Sequence, residues 1–319
     1  MDAVTETIKR LKKKWPRDYI SSEVLKNVDI WLRQFKEIDK SFALKIFEKL
    51  DYVSHKEISD FLFQFHEDMT INYHEDEMVI VPVTKVTWNK NQWEFNNDDI
   101  KSGHIMQVLY LQNNSSMTEF EINNRSPFTK TITKKYYENA KCIIFLDDFI
   151  GTGNTVNNFI QAFYSRYKIP LETETFLVCY AIMEDAYTLL KPRFTKIFYV
   201  FKYPSLFKNI VIWGSDDPHS IKEAMKIYEL GFDLYGKGDH YKFLFGFGQT
   251  GSSIFFEHNT PNNNLSSLWN NNWNTVIKDK WVPILIRFSK NSKEYNYKSI
   301  IDSSKVKAEM ANQYREKRG

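Results

Sequence analysis

The sequence predicts an α/β fold in which a mostly parallel sheet is flanked by helices and preceded by a helical N-terminal region. Three observations lead to this expectation. Apolar residues recur every three to four positions through the first seventy residues, as on one face of a helix. Short apolar runs then alternate with helical patterns, which indicates βαβ units. One of these runs ends in two adjacent acids and a glycine-containing turn, Asp147 to Thr155.

We divide the chain into a helical region (1–72), a sheet-containing domain (73–288) and a basic C-terminal tail (289–319). Within the sheet-containing domain, one predicted strand ends at the acid pair. The other apolar runs predict strands at 78–83, 176–183 and 197–201. Helical spacing and turn residues predict helices at 104–111, from Val156 onward, and from Asp217-Pro218 to Gly231.

Composition excludes several classes of protein. The chain of 319 residues is 42% hydrophobic with 25 Phe, which is far from a disordered composition. The net charge of +3 specifies no partner by itself. Cys142 and Cys179 lie in apolar runs without metal-ligand spacing, so we expect buried thiols in a reducing compartment. No signal-peptide pattern or long apolar stretch is present, so we expect a cytoplasmic protein without a membrane partner.

The segment from Lys141 to Val156 carries the clearest chemistry. Its apolar strand ends in Asp147 and Asp148, and the turn Gly151 to Thr155 then opens a helix. Backbone N–H groups at a helix start attract phosphate, and carboxylates accept hydrogen bonds from sugar hydroxyls. This one segment can therefore hold a ribose 5-phosphate by both ends. The alternative is an ordinary strand-to-helix turn in which one acid caps the helix.

This run resembles the 5-phosphoribosyl-1-pyrophosphate (PRPP) signature of type I phosphoribosyltransferases. The resemblance implies a type I phosphoribosyltransferase-like core in which Asp147 and Asp148 bind the ribose hydroxyls. Five further residues would cradle the 5′-phosphate: Gly151, Thr152, Gly153, Asn154 and Thr155. The cofactor implied is Mg²⁺, held mainly by PRPP with no direct protein ligands.

Two positions depart from the usual signature. Gly151 stands where 6-oxopurine salvage enzymes carry an aspartate proposed as general base. Because glycine cannot serve in that way, the resemblance disfavours hypoxanthine or guanine as acceptors. Asn154 replaces the more usual glycine or lysine and places an extra amide at the phosphate.

A type I phosphoribosyltransferase also needs a small-residue loop for the pyrophosphate. The best candidate is Lys101-Ser102-Gly103, just before the helix predicted from His104. Lysine supplies a charge, while serine and glycine allow close backbone approach. An exposed turn is the alternative interpretation, and Lys85, after the strand that ends at Val83, is the rival candidate.

An amide-rich block runs from Glu257 to Asn264. Asn259, Asn262 and Asn263 are candidates for contacts with the acceptor, because amides can bind a base edge or a ribose. The alternative is an Asx-type turn closed by proline, and His258 is a weaker candidate for a catalytic base.

Two other motifs suggest nucleotide or nucleic-acid binding. Gly246, Gly248 and Gly251 match the spacing of a dinucleotide fingerprint, but an apolar strand follows instead of a helix. We therefore reject that interpretation and predict a hairpin turn. The basic segment Lys9 to Arg17 is interpreted as the solvated face of a first helix, with nucleic-acid contact as the alternative. The same two interpretations apply to the tail.

The layout of the chain is similar to phosphoribosyltransferase-like proteins of bacterial conflict and antiphage loci. The similar features are Trp31-Leu32-Arg33-Gln34-Phe35 and the block Asn259 to Asn263 followed by Leu268-Trp269. The resemblance implies a defence role with a partner protein. We expect transfer of phosphoribosyl from PRPP to an unidentified acceptor. The alternative is a catalytically inactive sensor that binds a phosphoribosyl ligand and signals to a partner.

Overall fold

The structure is a computed structural model, and it describes residues 3–15, 22–74, 77–95, 102–113, 140–167, 169–208, 213–214, 216–232, 243–285 and 287. The α-helices are α1 (Ala3–Lys14), α2 (Ser22–Arg33), α3 (Lys40–Glu48), α4 (His55–Thr70), α5 (Ser102–Asn113), α6 (Asn154–Arg166), α7 (Glu184–Leu190), α8 (Pro218–Leu230) and α9 (Ser266–Trp269). The strands are β1 (Asp51–Val53), β2 (Met78–Pro82), β3 (Val86–Asn89), β4 (Gln92–Phe95), β5 (Cys142–Ile150), β6 (Glu174–Met183), β7 (Lys196–Phe198), β8 (Phe201–Tyr203), β9 (Ile254–Phe256), β10 (Trp273–Asn274) and β11 (Asp279–Lys280).

The described residues form two compact units. The first combines Met1–His55 with Tyr203–Ser292, and the second is Lys56–Lys202. The first unit thus joins segments that are distant in sequence. The sequence boundaries at residues 72 and 288 stay predictions, and the tail predicted for 289–319 lies outside the described residues.

The second unit contains the parallel sheet that the sequence predicts. Its strands follow the order β2-β5-β6-β7, each neighbouring pair is parallel, and β8 also pairs with β6. All nine residues of β5 are buried, as expected for a strand covered on both faces. Helix α6 covers one face, and its Phe159 and Phe163 rings pack edge-on against Phe145 of β5.

Two local predictions in this unit need correction. The strand predicted at 197–201 is interrupted at Tyr199 and Val200. The residues before this break form β7, those after it form β8, and both strands pair with β6. A hairpin of β3 and β4 lies in a polar stretch where the apolar pattern predicts no strands. Its two-residue turn places Lys90 and Asn91 at φ 44° and 61°, as tight hairpin turns require.

The first unit has an aromatic core. The Phe35 ring lies 4.8 Å from Trp31, 4.7 Å from Tyr228 and 5.2 Å from Trp281, measured between ring centroids. The indole N–H groups of Trp31 and Trp281 both donate to the backbone oxygen of Ser267 at 2.7 Å. The Trp31-to-Phe35 motif and the segment beside Leu268-Trp269 therefore meet in this core, where their contacts are structural.

The predicted hairpin turn at Gly246 to Gly251 is wrong for the described residues. Strand β9, which follows the glycines, pairs in parallel with β1. The glycine segment itself forms a short 3₁₀ turn at Phe247–Gln249.

The basic N-terminal segment packs by its apolar side. Trp15 is buried, and its indole N–H donates to the backbone oxygen of Leu50 at 3.0 Å. Lys14 forms an ion pair with Asp51 at 2.6 Å, and Arg10 forms one with Glu48. These contacts agree with a solvated helix face, and nucleic-acid contact stays a prediction. Among the helices that the structure describes, none is both long and apolar enough to cross a membrane.

Candidate functional site

The acid pair lies at the carboxyl end of the central strand β5. Asp147 is opposite Cys179 of β6, and the preceding residue, Leu146, is opposite Pro82, the last residue of β2. The acids therefore lie just past the end of β2. Both are buried, at 8% and 6% exposure for Asp147 and Asp148. This edge of a parallel sheet is where α/β proteins bind their ligands.

Hydrogen bonds and burial define the electrostatics of the pair. Oδ1 of Asp147 accepts from the Ser102 hydroxyl at 2.7 Å and from the Asp148 backbone N–H at 3.0 Å. Burial raises the pKa of Asp147 well above its usual value, and the adjacent Asp148 carboxylate raises it further. Two neighbouring buried carboxylates resist full ionisation unless a cation or hydrogen-bond donors compensate them. The pair is therefore suited to a ligand that brings hydroxyl groups or positive charge.

Helix α5 brings two residues of the predicted pyrophosphate loop to this edge of the sheet. Ser102 begins the helix and contacts Asp147 directly. A Cβ placed on Gly103 would lie 2.5 Å from the backbone oxygen of Val83 and 2.8 Å from that of Leu146. Only glycine allows the helix to approach the strand ends so closely. The backbone of this helix start thus lies against the strand that carries the acids.

Thr84 also lies at this sheet edge, although no motif in the sequence predicts a role for it. It follows β2 by two positions and is 2% exposed, and its hydroxyl oxygen has no hydrogen-bond partner in the part of the chain that the structure describes. Buried hydroxyls are normally paired, so this one is a candidate partner for a polar group at the sheet edge. The signal in the sequence is a hydroxyl directly after a buried strand. The neighbouring Lys85 is exposed, and Lys101 lies outside the described residues.

The predicted phosphate turn leads directly from β5 into α6. Gly153 is the N-cap of α6 with φ 78° and ψ −11°, a left-handed conformation that favours glycine. The backbone N–H of Asn157 donates to the Gly153 oxygen at 2.9 Å and closes the first helical turn. The N–H groups of a helix's first turn have no partner within the helix and can bind an anion. Thr152 is half-buried, whereas Asn154 and Thr155 are exposed.

The asparagine block lies in the first compact unit, whereas the acid pair belongs to the second. The Asn259 side-chain oxygen accepts from the Thr260 backbone N–H at 2.9 Å. The Asn263 amide donates to the backbone oxygen of Phe247 and to the Thr250 hydroxyl, both at 3.0 Å. The Asn262 backbone oxygen accepts from the Phe247 N–H at 2.7 Å. These hydrogen bonds close local turns, and contact of the three asparagines with an acceptor stays a prediction.

His258 is buried beside His55. The two imidazole rings are stacked, with centroids 5.4 Å apart. Burial, with a smaller effect of His258, lowers the pKa of His55 to about 4. Within the described ranges, no group of three or more His, Cys, Asp or Glu residues is arranged to hold a metal ion.

The fold and the site define a class: an α/β protein with a parallel sheet whose central strand leads from an acid pair into a glycine-containing turn that opens a helix. The model of the PRTase-CE family matches residues 28–287, which is most of the chain. The chain therefore belongs to the PRTase-CE family and is a phosphoribosyltransferase-like protein.

No curated protein matches the chain. Among solved structures, the AQ2163 protein from Aquifex aeolicus is similar at 10% identity, covering 57% of this chain and 84% of that chain. Its TM-score is 0.27, a likeness too low to inform the function.

Proposed function

We propose that this protein binds PRPP together with Mg²⁺ and transfers the phosphoribosyl group to an acceptor. The observation that carries the proposal is the arrangement around β5, where a buried acid pair, a helix-start turn and the Ser102 hydroxyl belong to one sheet edge. Membership of the PRTase-CE family supports a phosphoribosyl ligand. The resemblance to antiphage proteins supports a defence role that includes a partner protein.

Each part of the site has a role in this proposal. Asp147 and Asp148 accept hydrogen bonds from the ribose hydroxyls. The backbone N–H groups of residues 151–155 bind the 5′-phosphate, because a helix start carries partial positive charge. The start of α5, at Ser102 and Gly103, receives the pyrophosphate, because the missing side chain of Gly103 lets this helix start pack directly against the strand end that carries the acids.

The described residues of the acid-pair site are compatible with a magnesium ion whose ligands come mainly from PRPP. Mg²⁺ in nucleotide enzymes is usually bound by substrate phosphates and few carboxylates, and the buried acid pair favours nearby positive charge. When bound, Mg²⁺ neutralises the charge of the departing pyrophosphate.

The transfer breaks one bond and forms another at the anomeric carbon of the ribose. Pyrophosphate leaves with the electron pair of the broken C–O bond, the acceptor atom bonds to the same carbon, and the acceptor's proton passes to solvent or a base. The protein contributes position and charge complementarity. Because Gly151 cannot act as a base, the proposal disfavours 6-oxopurine acceptors.

A non-catalytic sensor is the second candidate. The observation that favours it is the absence of any titratable side chain between Asp148 and Asn154 of the signature. A protein with this site could bind a phosphoribosyl ligand and signal to a partner without turning it over.

Pyrophosphate release distinguishes the two candidates. The purified full chain is incubated with PRPP and Mg²⁺ and with panels of bases, nucleotides and macromolecules, and released pyrophosphate is measured by a coupled assay. We expect release that depends on one acceptor class and that Asp147→Asn/Asp148→Asn abolishes. Binding of PRPP without release by any acceptor would favour the sensor, and no binding would refute both.

The affinity for PRPP is expected to depend on pH through Asp147. Because the pKa of Asp147 is raised, the carboxyl keeps its proton at low pH, and affinity should rise with pH until the group is ionised. The Ser102 hydroxyl lowers this pKa, so Ser102→Ala should move the rise to higher pH. Calorimetric titration at several pH values measures this shift. An unchanged midpoint in Ser102→Ala would contradict the role of Ser102, whereas Asp147→Asn should lack the rise.

A further inference from the structure

The first compact unit contains a cavity of about 350 Å³, a size typical of small-molecule sites. Its lining combines two lysines, two aromatic rings, a hydroxyl and an amide: Lys208, Lys222, Phe207, Phe245, Ser205 and Gln249. None of these residues belongs to the acid-pair site, and the function proposed above does not use them.

The aromatic wall of the cavity suits a planar ring. The Phe207 and Phe245 rings have centroids 4.9 Å apart, and the Phe207 ring is also stacked with Trp213 at 6.3 Å. Phe245 is buried, whereas Phe207 is only half-buried. A ligand ring can therefore pack against Phe207 on a surface that the protein already holds in place.

The charge of the cavity is positive. The Lys222 ammonium lies 5.3 Å from the centroid of the Phe245 ring. The acids close to Lys222 in α8 have other partners, since Glu223 pairs with Lys226 at 3.3 Å and Asp217 caps the helix. No acid among the described residues forms an ion pair with Lys222. Lys208 also belongs to the lining, and the described residues that line the cavity include no acidic side chain, so the cavity favours an anion.

The glycine-rich loop beside the cavity has an unusual backbone that is held in place. Five of its residues have positive φ: Phe245, Gly246, Gly248, Gln249 and Gly251. A positive φ is rare for a bulky residue such as Phe245, and residues strained in this way cluster at functional sites. The Phe247 N–H donates to the Asn262 backbone oxygen, the Asn263 amide donates to the Phe247 oxygen, and these two hydrogen bonds fix the loop. Gly248, which also lines the cavity, lets a ligand approach the backbone closely.

We propose that this cavity binds a free nucleoside monophosphate. The base stacks against Phe207, Lys222 binds the phosphate, Lys208 adds positive charge to the lining, and Ser205 offers a hydrogen bond to the polar edges. A ligand with only a ring would contact the aromatic side chains but not the lysines, and a ligand with only a phosphate would do the reverse. The proposal goes beyond phosphoribosyl transfer, because it assigns a second ligand to the other compact unit.

The test is calorimetric titration of the full chain with AMP, GMP, CMP and UMP, with adenosine and ribose 5-phosphate as partial ligands. At least one monophosphate should bind more tightly than either partial ligand. Lys222→Gln should weaken that binding by about tenfold, the loss of one charge-assisted contact. The control is Lys226→Gln on the same helix, which should change it less than twofold. Phe207→Leu, which removes the ring but no charge, should also weaken it, and melting curves confirm that each variant is folded.

Four results would overturn the proposal. The first is no binding of any monophosphate at millimolar concentration. The second is an equal loss in Lys222→Gln and Lys226→Gln. The third is loss of binding in Asp147→Asn/Asp148→Asn, which would assign the nucleotide to the acid-pair site. The fourth is tighter binding of a single-stranded oligonucleotide than of any monophosphate, which would assign the cavity to nucleic acid. Retained monophosphate binding in the double acid variant supports the proposal even if PRPP binding fails.

Discussion

Replacing Asp147 and Asp148 together by asparagine is expected to weaken PRPP binding by about a hundredfold or more. Two hydrogen bonds to charged groups contribute about 3 kcal/mol or more, and each 1.4 kcal/mol corresponds to about tenfold in affinity. Asparagine keeps the shape of each side chain but not its charge. Calorimetric titration with PRPP in excess Mg²⁺ measures the loss.

The same double variant should be at least as stable as the wild type at neutral pH. The pKa of the Asp147 carboxyl is raised in the folded protein. Protonation of this carboxyl therefore stabilises the fold most at pH values below the pKa that Asp147 has in the unfolded chain. That contribution is lost as pH rises through the folded pKa, at about 1.4 kcal/mol for each pKa unit. The asparagine oxygen still accepts from Ser102 and from the backbone. A lower melting temperature at neutral pH would contradict this account of the pair.

Gly103→Ala is expected to reduce the free energy of unfolding by about 3 kcal/mol or more. The added Cβ would meet two backbone oxygens and a backbone nitrogen at 2.5–2.8 Å, and backbone atoms of buried strands cannot move away easily. The helix start would shift away from the acid pair, so PRPP binding should also weaken. Urea denaturation measures the change in stability.

Ser102→Ala is the matched control for this substitution. It changes the neighbouring residue of the same helix start but adds no atom, and it removes one hydrogen bond at a cost of about 1 kcal/mol. If both substitutions cost the same, the close approach at Gly103 does not determine the position of α5.

The buried elements of the second unit could be predicted from sequence. The apolar runs of β2, β5 and β6 are continuous because both faces of the sheet are covered. The buried positions of α6 repeat at helical spacing, as predicted. The order of acid pair, turn and helix could also be predicted, because these features are consecutive in the chain.

Other features depend on contacts that local patterns do not encode. The β3–β4 hairpin is largely exposed, so no apolar alternation marks it. The edge strand is interrupted at Tyr199 and Val200, although the run from Ile197 to Phe201 appears continuous in sequence. The first unit joins segments about 150 residues apart, which no spacing rule predicts. Thr84 was missed because a single hydroxyl after a strand is a common pattern.

The asparagine block shows how one sequence pattern fits two structures. Asn263 could bind a base edge or close a turn, since an amide both donates and accepts hydrogen bonds. In the structure it donates to Phe247 and Thr250 and fixes the glycine-rich loop. The sequence alone could not reveal that the block and this loop are neighbours, because their contact depends on the path of the chain between them.

A crystal structure of the full chain with PRPP and Mg²⁺ tests the central claim most directly. The account predicts the ribose hydroxyls within hydrogen-bond distance of Asp147 and Asp148, with the 5′-phosphate on the backbone N–H groups of the turn Gly151 to Thr155. PRPP bound elsewhere, or bound with its ribose away from the two carboxylates, would contradict it.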